Sequence, residues 1–408
     1  KKIFFKNQSP APRLFNVVTS LTIHLKWSVG PLLPCASSSR DLIQLVPMAR
    51  SAELQVIVAA SLLSVVAALG FLRKKSRDAP PRPLPADFAV TPGKVLAAAG
   101  RVKPHVHKTP VLTSKAMDAL AGRAVRFKCE VLQKTGSFKI RGATNAALLA
   151  SDATSPLVTH SSGNHAQALA LAARQLGRAA HVVMPDTAPA VKKAAVEGYG
   201  AAVTLCEPTN AARAAAASAK ARDVGGVFVH PSDDPDVIAG QGTVAVEFLD
   251  QCRDLDVLVV PVGGGGLIAG MTVYAKWRKP SLIVVGAEPA AVDDAARSKA
   301  AGKLLDHGGA DPDTVADGLK TLLGTHTWPV VRDLVDRVIT VDEDSIKAAT
   351  KLVWGRMKLC VEPSAGVGVA CVLGDAFKAA YPAEKYTTVG VVLCGGNLDL
   401  AKAAKVLF

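Results

Sequence analysis

Hydrophobic runs and alanine-rich stretches alternate along the chain from about Ala89 onward. The runs Val257–Val262 and Val389–Leu393 contain no polar side chain, whereas a strand with one solvent-exposed face would alternate apolar and polar residues. Continuous apolar runs of this kind are typical of strands that are buried on both faces of a parallel sheet. Alanine-rich stretches such as 166–176 have the composition of helices. The alternation therefore predicts an α/β protein with parallel sheets.

Small residues follow three of the predicted strands, where the chain has to turn into the next element. These turns are Ser161–His165, Gly263–Gly266 and Cys394–Asn397. In the second turn, four residues without a Cβ let backbone N–H groups converge on a phosphate, aided by the positive end of the following helix. A dinucleotide site is the rival interpretation, and the next strand does lead to an acidic residue, Glu288. The glycine spacing, however, is not Gly-x-Gly-x-x-Gly.

One lysine, Lys139, lies between Phe138 and a run able to start a helix, directly after a small polar turn. A lysine that loses part of its hydration gives up its proton more readily, and its amine can then form a Schiff base with an aldehyde cofactor. A solvated lysine at a helix start is the structural alternative. The turns that follow in the sequence favour the cofactor, because each suits a different part of one phosphate-bearing ligand.

The net charge of +14 is concentrated near the start of the chain. Residues 1–85 carry 12 Lys or Arg and 3 Asp or Glu, whereas the remaining residues carry 36 and 31. No basic patch with interleaved aromatic residues is present in the sequence, so nucleic-acid binding is not expected. The seven cysteines are odd in number and form no Cys-x-x-Cys, which fits reduced thiols better than disulfides or a zinc site.

A long apolar segment precedes the predicted α/β region. Residues 54–72 carry no charge and could cross a bilayer as a helix, which predicts a transmembrane signal anchor with Met48 as a suitable initiator. The basic, proline-rich linker 73–85 follows, and its positive charges predict that the rest of the chain lies on the cytoplasmic side. Residues 1–53 are poor in acidic residues, so an organelle transit segment and a leader without a role are the alternatives.

The lysine segment 134–143 and the three turns together resemble the pyridoxal-phosphate enzymes of the tryptophan synthase β type (fold type II), and within them the serine racemase and serine/threonine dehydratase group. The resemblance covers nearly all of residues 112–400. It implies two open, twisted parallel-sheet domains with the cofactor in the cleft between them. The implied large domain comprises residues 86–155 and 234–408, and the small domain comprises residues 156–233. It also implies a homodimer.

The activity that the resemblance implies is interconversion of L- and D-serine, accompanied by β-elimination of serine to pyruvate and ammonia. A serine/threonine ammonia-lyase with little racemisation is the main alternative, with threonine as a further substrate. A cofactor- or nucleotide-binding protein without turnover is a remote alternative. The intact Lys139, Ser162 and glycine turn count against it.

Catalytic and binding residues follow from the resemblance, position by position. Lys139 would attach the cofactor and remove the α-proton of the substrate, and Ser162 would return a proton on the opposite face. The structural alternative for Ser162 is to bind the substrate carboxylate or cap the helix. The implied cofactor contacts are Phe138, Lys139, Asn164 at the phenolic oxygen, Gly263, Gly264, Gly265 and Gly266 at the phosphate, Gly318, and Cys394 at the pyridine nitrogen. The implied substrate contacts are Ser161, Ser162, Asn164, His165 and Thr321.

A divalent cation is also implied by the resemblance. The carboxylates of Glu288 and Asp294, with the carbonyl oxygen of Val292 and waters, would hold Mg²⁺, Ca²⁺ or Mn²⁺, which are hard ions that prefer oxygen. Without the resemblance, two solvated loop carboxylates would be the simpler interpretation.

ATP is implied as an activator bound between subunits. The matching positions are Ser114, Lys134, Thr135 and Lys192, whereas Lys115 and Ala116 depart from the usual serine and isoleucine.

Two pocket positions depart from the pattern of racemases. Cys394 occupies a position where serine is usual in racemases and where some serine dehydratases carry cysteine. This substitution favours the dehydratase, and therefore the elimination reaction. Ser232 occupies a position where asparagine is usual. Lys320 and Glu362 are further pocket candidates.

Overall fold

The computed structural model describes residue 84, residues 87–307 and residues 313–407. Ten strands in these residues form two sheets. The strands are β1 (Val111–Leu112), β2 (Ala124–Cys129), β3 (Leu157–His160), β4 (Ala180–Pro185), β5 (Ala202–Cys206), β6 (Val227–Phe228), β7 (Val257–Pro261), β8 (Ile283–Pro289), β9 (Arg337–Val341) and β10 (Thr388–Leu393). The six-stranded sheet has the order β1-β2-β10-β7-β8-β9, and the four-stranded sheet has the order β5-β4-β3-β6.

Fourteen α-helices accompany these strands in the described residues. They are α1 (Pro92–Val102), α2 (Lys115–Ala121), α3 (Lys139–Leu149), α4 (Asn164–Gln175), α5 (Ala190–Gly198), α6 (Asn210–Asp223), α7 (Pro235–Gln251), α8 (Gly266–Arg278), α9 (Asp294–Ala301), α10 (Trp328–Asp333), α11 (Glu343–Met357), α12 (Pro363–Leu373), α13 (Asp375–Ala380) and α14 (Leu400–Leu407). Short 3₁₀ turns occur at Glu130–Leu132, Lys134–Gly136, Ala290–Val292 and Asp317–Leu319.

The strand directions confirm the predicted α/β class with two parallel sheets. Every neighbouring pair of strands is parallel except β1 and β2, which are antiparallel at the edge of the larger sheet. All five residues of β7 are buried, which accounts for its continuous apolar sequence. The strands of the smaller sheet fall within the range 156–233, so the sheet division is compatible with the predicted domain boundaries, which stay a prediction.

Close packing around α7 brings together the two helices that begin at the candidate site. A Cβ on Gly270 of α8 would lie 2.7 Å from the backbone nitrogen of Gly242 in α7. A Cβ on Gly240 of α7 would lie 2.6 Å from the backbone of Gly142 in α3. Glycine at these positions lets the backbones approach closely. Helix α7 therefore fixes the start of α3, which carries Lys139, relative to the glycine turn before α8.

The predicted leader 1–53 and anchor 54–72 lie outside the described residues, as does nearly all of the linker 73–85. Among the helices of the described residues, none combines the length and apolar character needed to cross a bilayer. The six cysteines in this part of the chain are all free thiols, as predicted.

Candidate active site

Lys139 is held at the start of α3 by backbone pairing with the end of β10. Ser137 forms an antiparallel bridge with Gly395, and the N–H of Phe138 donates to the carbonyl of Cys394 at 3.1 Å. The N–H of Gly396 donates to the carbonyl of Gly136 at 2.9 Å. These bonds place the lysine next to the carboxyl end of a central strand, where ligands of open α/β sheets usually bind.

The amine of Lys139 is largely withdrawn from water. Its Nζ donates to the carbonyl oxygen of Pro231 at 2.8 Å and lies 5.4 Å from the centre of the Phe138 ring. Burial lowers the pKa of Lys139 to about 8, although the nearby Cys394 and Glu362 act in the opposite direction. A substantial fraction of this amine is therefore neutral slightly above neutral pH, as a nucleophile or a base requires.

The glycine turn forms a cradle that no larger residue could form. Gly265 has a φ of +80° and immediately precedes α8, whose start is not capped by any side chain. A Cβ on Gly263 would lie 2.9 Å from the Cα of Leu319, and a Cβ on Gly264 would overlap the hydroxyl of Ser232. The first N–H groups of an uncapped helix need acceptors, and an anion supplies them. The turn therefore has the geometry of an anion cradle, and the phosphate contact of Gly263–Gly266 stays a prediction.

Hydroxyl-bearing residues surround this cradle. Thr327 Oγ1 donates to the carbonyl of Gly264 at 3.1 Å. A Cβ on Gly264 would also lie 3.2 Å from the methyl group of Thr321. Ser232, a departure noted in the sequence, thus lies with Thr321 against the second glycine of the turn.

Cys394 follows the last residue of β10 and is buried, with 3% of its surface exposed. Burial, together with the neighbouring Glu362, raises the pKa of its thiol well above the usual value. The side chain at the end of this strand is therefore a neutral thiol, which carries no charge and is a weak hydrogen-bond donor.

The turn after β3 places four of the predicted residues together. The N–H of Ser161 donates to the carbonyl of Val183, and Ser161 Oγ accepts from the N–H of Gly163 at 3.3 Å. Asn164 then begins α4. Ser162 is half-buried, and its hydroxyl makes no hydrogen bond with any of the described residues. That hydroxyl is available to a ligand.

His165 is buried without a hydrogen-bond partner for either ring nitrogen among the described residues. Burial and the adjacent positive charge of Lys139 lower the pKa of this histidine well below its ordinary value. Its ring is therefore neutral at physiological pH, with one donor and one acceptor nitrogen.

Glu362, only a pocket candidate in the sequence, lies at the centre of the site. Its carboxylate accepts from Asn164 Nδ2 at 2.9 and 3.2 Å, and Asn397 Nδ2 donates to Asn164 Oδ1 at 2.7 Å. Burial raises the pKa of Glu362 to about 7, and the charge of Asp317 adds to this effect. The only local signal in the sequence is an acidic residue between Val361 and Pro363 at a helix start.

The predicted cation ligands lie around the end of β8. Glu288 accepts from the N–H groups of Ala295 and Ala296, both at 2.9 Å, and Asp294 accepts from the N–H of Leu323 at 3.2 Å. Burial raises the pKa of both carboxyls, that of Glu288 to about 8. In the described residues no group of three or more His, Cys, Asp or Glu side chains is arranged to hold a metal. Two buried carboxylates beside each other nevertheless suit a divalent cation.

The predicted ATP contacts fall in separate parts of the fold. Ser114 caps α2, accepting from the N–H of Met117 at 3.5 Å, and Lys134 and Thr135 form the turn before Lys139. Lys192 lies in α5, beside the smaller sheet, and pairs with Asp317 at 2.6 Å. This ion pair crosses to the turn that contains Gly318, whose N–H donates to Ser364 Oγ at 3.1 Å.

Comparisons with known proteins agree with this geometry. A family model described as pyridoxal-phosphate dependent enzyme matches residues 102–395. Human serine racemase is 49% identical over 323 residues, which cover 78% of this chain and 94% of the human protein.

The solved structures that are similar to this chain include a serine racemase and a threonine deaminase. The structure of maize serine racemase is 42% identical and superposes with a TM-score of 0.75, covering 78% of this chain and 97% of the maize chain. A threonine deaminase from T.th. is also 42% identical, with a TM-score of 0.71, covering 76% of this chain and 99% of that chain.

Proposed function

Because the chain belongs to the pyridoxal-phosphate-dependent enzymes, we propose that it is a serine racemase that also eliminates water from serine. The observation that carries the proposal is the desolvated amine of Lys139, whose pKa is lowered to about 8. Relatives that bear the name serine racemase match over nearly their whole length, which supports the choice of reaction.

The residues present fit the cofactor. The glycine cradle Gly263–Gly266 and the uncapped start of α8 suit its phosphate, and the amine of Lys139 suits its aldehyde carbon. Phe138, Asn164, Gly318 and Cys394 are the further residues that would hold it. When bound, pyridoxal phosphate withdraws electrons from the α-carbon of an amino acid and so makes its α-proton acidic.

Lys139 is the base that we assign to one face of the substrate. The Pro231 carbonyl accepts a hydrogen bond from Nζ, which restricts the conformations of the lysine side chain. Near pH 8 about half of the amine is neutral and able to take the α-proton of L-serine onto Nζ. The desolvated position of Nζ keeps a larger fraction of the amine neutral, and so available as a base, than an exposed lysine would have at the same pH.

Ser162 is the group that we assign to the opposite face. Its hydroxyl is not engaged by the described residues and can turn towards the substrate, donating a proton to give D-serine or accepting one in reverse. Ser161, Asn164, His165 and Thr321 would orient the substrate. The neutral ring of His165 can donate one hydrogen bond without adding a charge.

Racemisation and elimination diverge after the α-proton has been removed. A tenfold bias between them corresponds to a barrier difference of about 1.4 kcal/mol, which a single hydrogen bond can supply. A serine/threonine ammonia-lyase with little racemisation is therefore the second candidate. Cys394 and the 42% identity to a threonine deaminase favour it.

Incubation of the purified protein with L-serine separates the two candidates. Chiral chromatography measures D-serine, and a coupled assay measures pyruvate in the same sample. We expect both products. If pyruvate forms without D-serine, only the ammonia-lyase remains as a candidate. If neither pyruvate nor D-serine forms, both candidates are contradicted.

We also propose that Glu288, Asp294 and the Val292 carbonyl bind Mg²⁺, Ca²⁺ or Mn²⁺. Both side chains belong to residues that are 1% exposed. Backbone N–H groups donate to both carboxylates and His307 Nδ1 lies 3.7 Å from Asp294 Oδ1, but two neighbouring buried carboxylates stay costly unless a cation or a proton neutralises them.

Three further proposals rest on the family resemblance and on the sequence. They are ATP binding by Ser114, Lys134, Thr135 and Lys192, a homodimer, and membrane association through residues 54–72, which lie outside the described residues. Sedimentation of the full chain with and without ATP, and flotation with lipid vesicles, test them separately.

A further inference from the structure

The carboxyl group of Glu362 occupies the candidate active site without a role in the proposed reaction. Glu362 immediately precedes α12, yet its side chain does not cap that helix. It turns instead to Asn164, whose Nδ2 donates to both carboxyl oxygens. A Cβ on Gly395 would lie 2.7 Å from Glu362 Oε1, so the approach depends on glycine there. Glu362 is 4% exposed, and a buried carboxylate is costly unless hydrogen bonds replace its lost water, as those from Asn164 do in part.

Hydrogen bonds on both sides determine which way the amide of Asn164 faces. Asn397 Nδ2 donates to the Thr135 carbonyl at 2.6 Å and to Asn164 Oδ1 at 2.7 Å. A carbonyl and an ionised carboxylate can only accept, so Asn397 directs its NH₂ group towards Thr135 and Asn164 directs its own towards Glu362. The donors and acceptors therefore run in one direction, from Asn397 through Asn164 to Glu362. The two oxygens of one carboxylate lie so close together that a single N–H of Asn164 serves both, which leaves its other N–H for a ligand.

We propose that Glu362 is a positioning residue whose ionised carboxylate holds Asn164 with an amide N–H, rather than the amide oxygen, towards the cofactor. This inference rests on the proposed function, because Asn164 is taken there as a cofactor contact. It assigns to Glu362 a role in orientation and none in moving the substrate's protons.

The protonation state of this carboxyl changes near neutral pH. Burial and Asp317 raise the pKa of Glu362 to about 7, whereas Asn164, Lys192 and the backbone N–H of Asn397 oppose the rise. Lys139 and Cys394 also face the carboxyl, and Glu362 raises the pKa of each of them. These groups come from α3, α4, α5, the Asp317 turn and the end of β10.

Protonation alters what the carboxyl can do. One of its oxygens becomes a donor, so Asn164 can no longer donate to both oxygens, and of its two restraints only the bond from Asn397 remains intact. The N–H is therefore held towards the cofactor more firmly above about pH 7 than below it.

The test uses the full-length holoenzyme and follows the absorbance of its bound cofactor between about pH 5.5 and 8.5. Cofactor dissociation constants are measured at both ends of this range. In the unmodified protein we expect a spectral transition with a midpoint near pH 7, accompanied by weaker cofactor binding on the acidic side. In Glu362→Gln the transition should disappear. Cofactor binding should become independent of pH and about threefold to tenfold weaker than that of the unmodified protein at the alkaline end.

Two charged residues that pair with each other, the exposed Asp317 and the partly buried Lys192, provide variants that leave the buried carboxyl in place. Asp317→Asn removes a negative charge and should move the midpoint to lower pH, whereas Lys192→Gln removes a positive charge and should move it to higher pH. Asp344→Asn, which removes an exposed negative charge on α11, is the matched control and should leave the midpoint unchanged.

Opposite shifts in the two charge variants, with loss of the transition in Glu362→Gln, support the inference. An unchanged transition in Glu362→Gln would overturn it. If that variant does not fold, absent or parallel shifts in Asp317→Asn and Lys192→Gln would overturn it equally. A holoenzyme with the expected titration that forms neither D-serine nor pyruvate would contradict the proposed function instead.

Discussion

Lys139 is subject to two opposing influences. Loss of water favours its neutral form, whereas the nearby Cys394 and Glu362 favour its charged form, and desolvation prevails. Each carboxyl that ionises near the amine therefore moves its pKa back towards the ordinary value. The protonation states of Glu362 and Lys139 should be coupled for this reason.

Substitution of Gly264 tests whether the glycine turn forms the phosphate cradle. Gly264→Ala would force a methyl group into Ser232, and overpacking of this kind costs about 1–3 kcal/mol. We expect about tenfold to hundredfold weaker cofactor binding, measured by titration of the apoprotein. Gly355→Ala is the control, because an added Cβ there meets nothing within 4 Å. Equal affinities in the two variants would contradict the cradle.

The proposed cation site makes a second prediction at this scale. Added Ca²⁺ or Mg²⁺ should raise the melting temperature, since a cation that binds only the folded protein stabilises it by mass action. Glu288→Gln should abolish the response, whereas Asp293→Asn, which changes the exposed partner of Arg297, should keep it. Scanning calorimetry with and without chelator measures both. A full response in Glu288→Gln would exclude this site.

At the scale of the elements, a buried network of charged side chains joins α3, α7 and β2 and meets α3 close to Lys139 in the sequence. Arg141 donates to Glu130 and Glu247 at 2.8–2.9 Å, and Lys128 donates to Glu247 at 2.6 Å. Burial opposes ionisation of Glu247, but the bonds and charges of Arg141 and Lys128 hold its pKa below the usual range. The start of α3 is thus anchored two residues beyond the amine.

Glu247→Gln leaves Arg141 and Lys128 with one negative partner fewer. We expect the free energy of unfolding to fall by about 3 kcal/mol in urea titrations. Because the folded pKa of Glu247 is depressed, its contribution is complete above its unfolded pKa and is lost as pH falls through the folded pKa. The difference between variant and unmodified protein should shrink on acidification.

The control is Lys193→Gln, from a half-exposed pair with Glu197 on α5. Such pairs are worth about 0–1 kcal/mol. A similar loss in both variants would show that the buried network has no special role.

Sequence patterns predict local elements well and distant partners poorly. The glycines at 263–266 follow a continuous apolar run, and β7 and α8 flank them as predicted. By contrast, the Pro231 carbonyl lies 92 residues from Lys139, and Glu362 lies 198 residues from Asn164. No local signal reports contacts of that separation, because they exist only once the sheets have formed.

At the scale of the molecule, the residues of the proposed reaction come from both sheets. Ser162 follows β3 of the smaller sheet, whereas Lys139, the glycine turn and Cys394 belong with the larger sheet. The Lys192–Asp317 pair also joins the two. Apolar periodicity predicted parallel strands, but neither the order β5-β4-β3-β6 nor the antiparallel edge strand β1 is encoded in periodicity.

A substrate that contacts both sheets should draw them together, which excludes water and aligns Ser162. Hydrogen exchange should therefore slow at residues 161–165 and 317–319 when serine is added. The buried strand β7 is the internal control and should exchange slowly throughout. Uniform slowing over the whole chain would indicate general stabilisation instead of closure.

The account depends most directly on the identity of the amine that carries the cofactor. Borohydride reduces an imine to a stable amine, so treatment of the holoenzyme followed by peptide mapping locates the attachment. We predict a label on Lys139 and its absence in Lys139→Ala, together with loss of turnover. A label on any other lysine, or full activity in Lys139→Ala, would contradict the account.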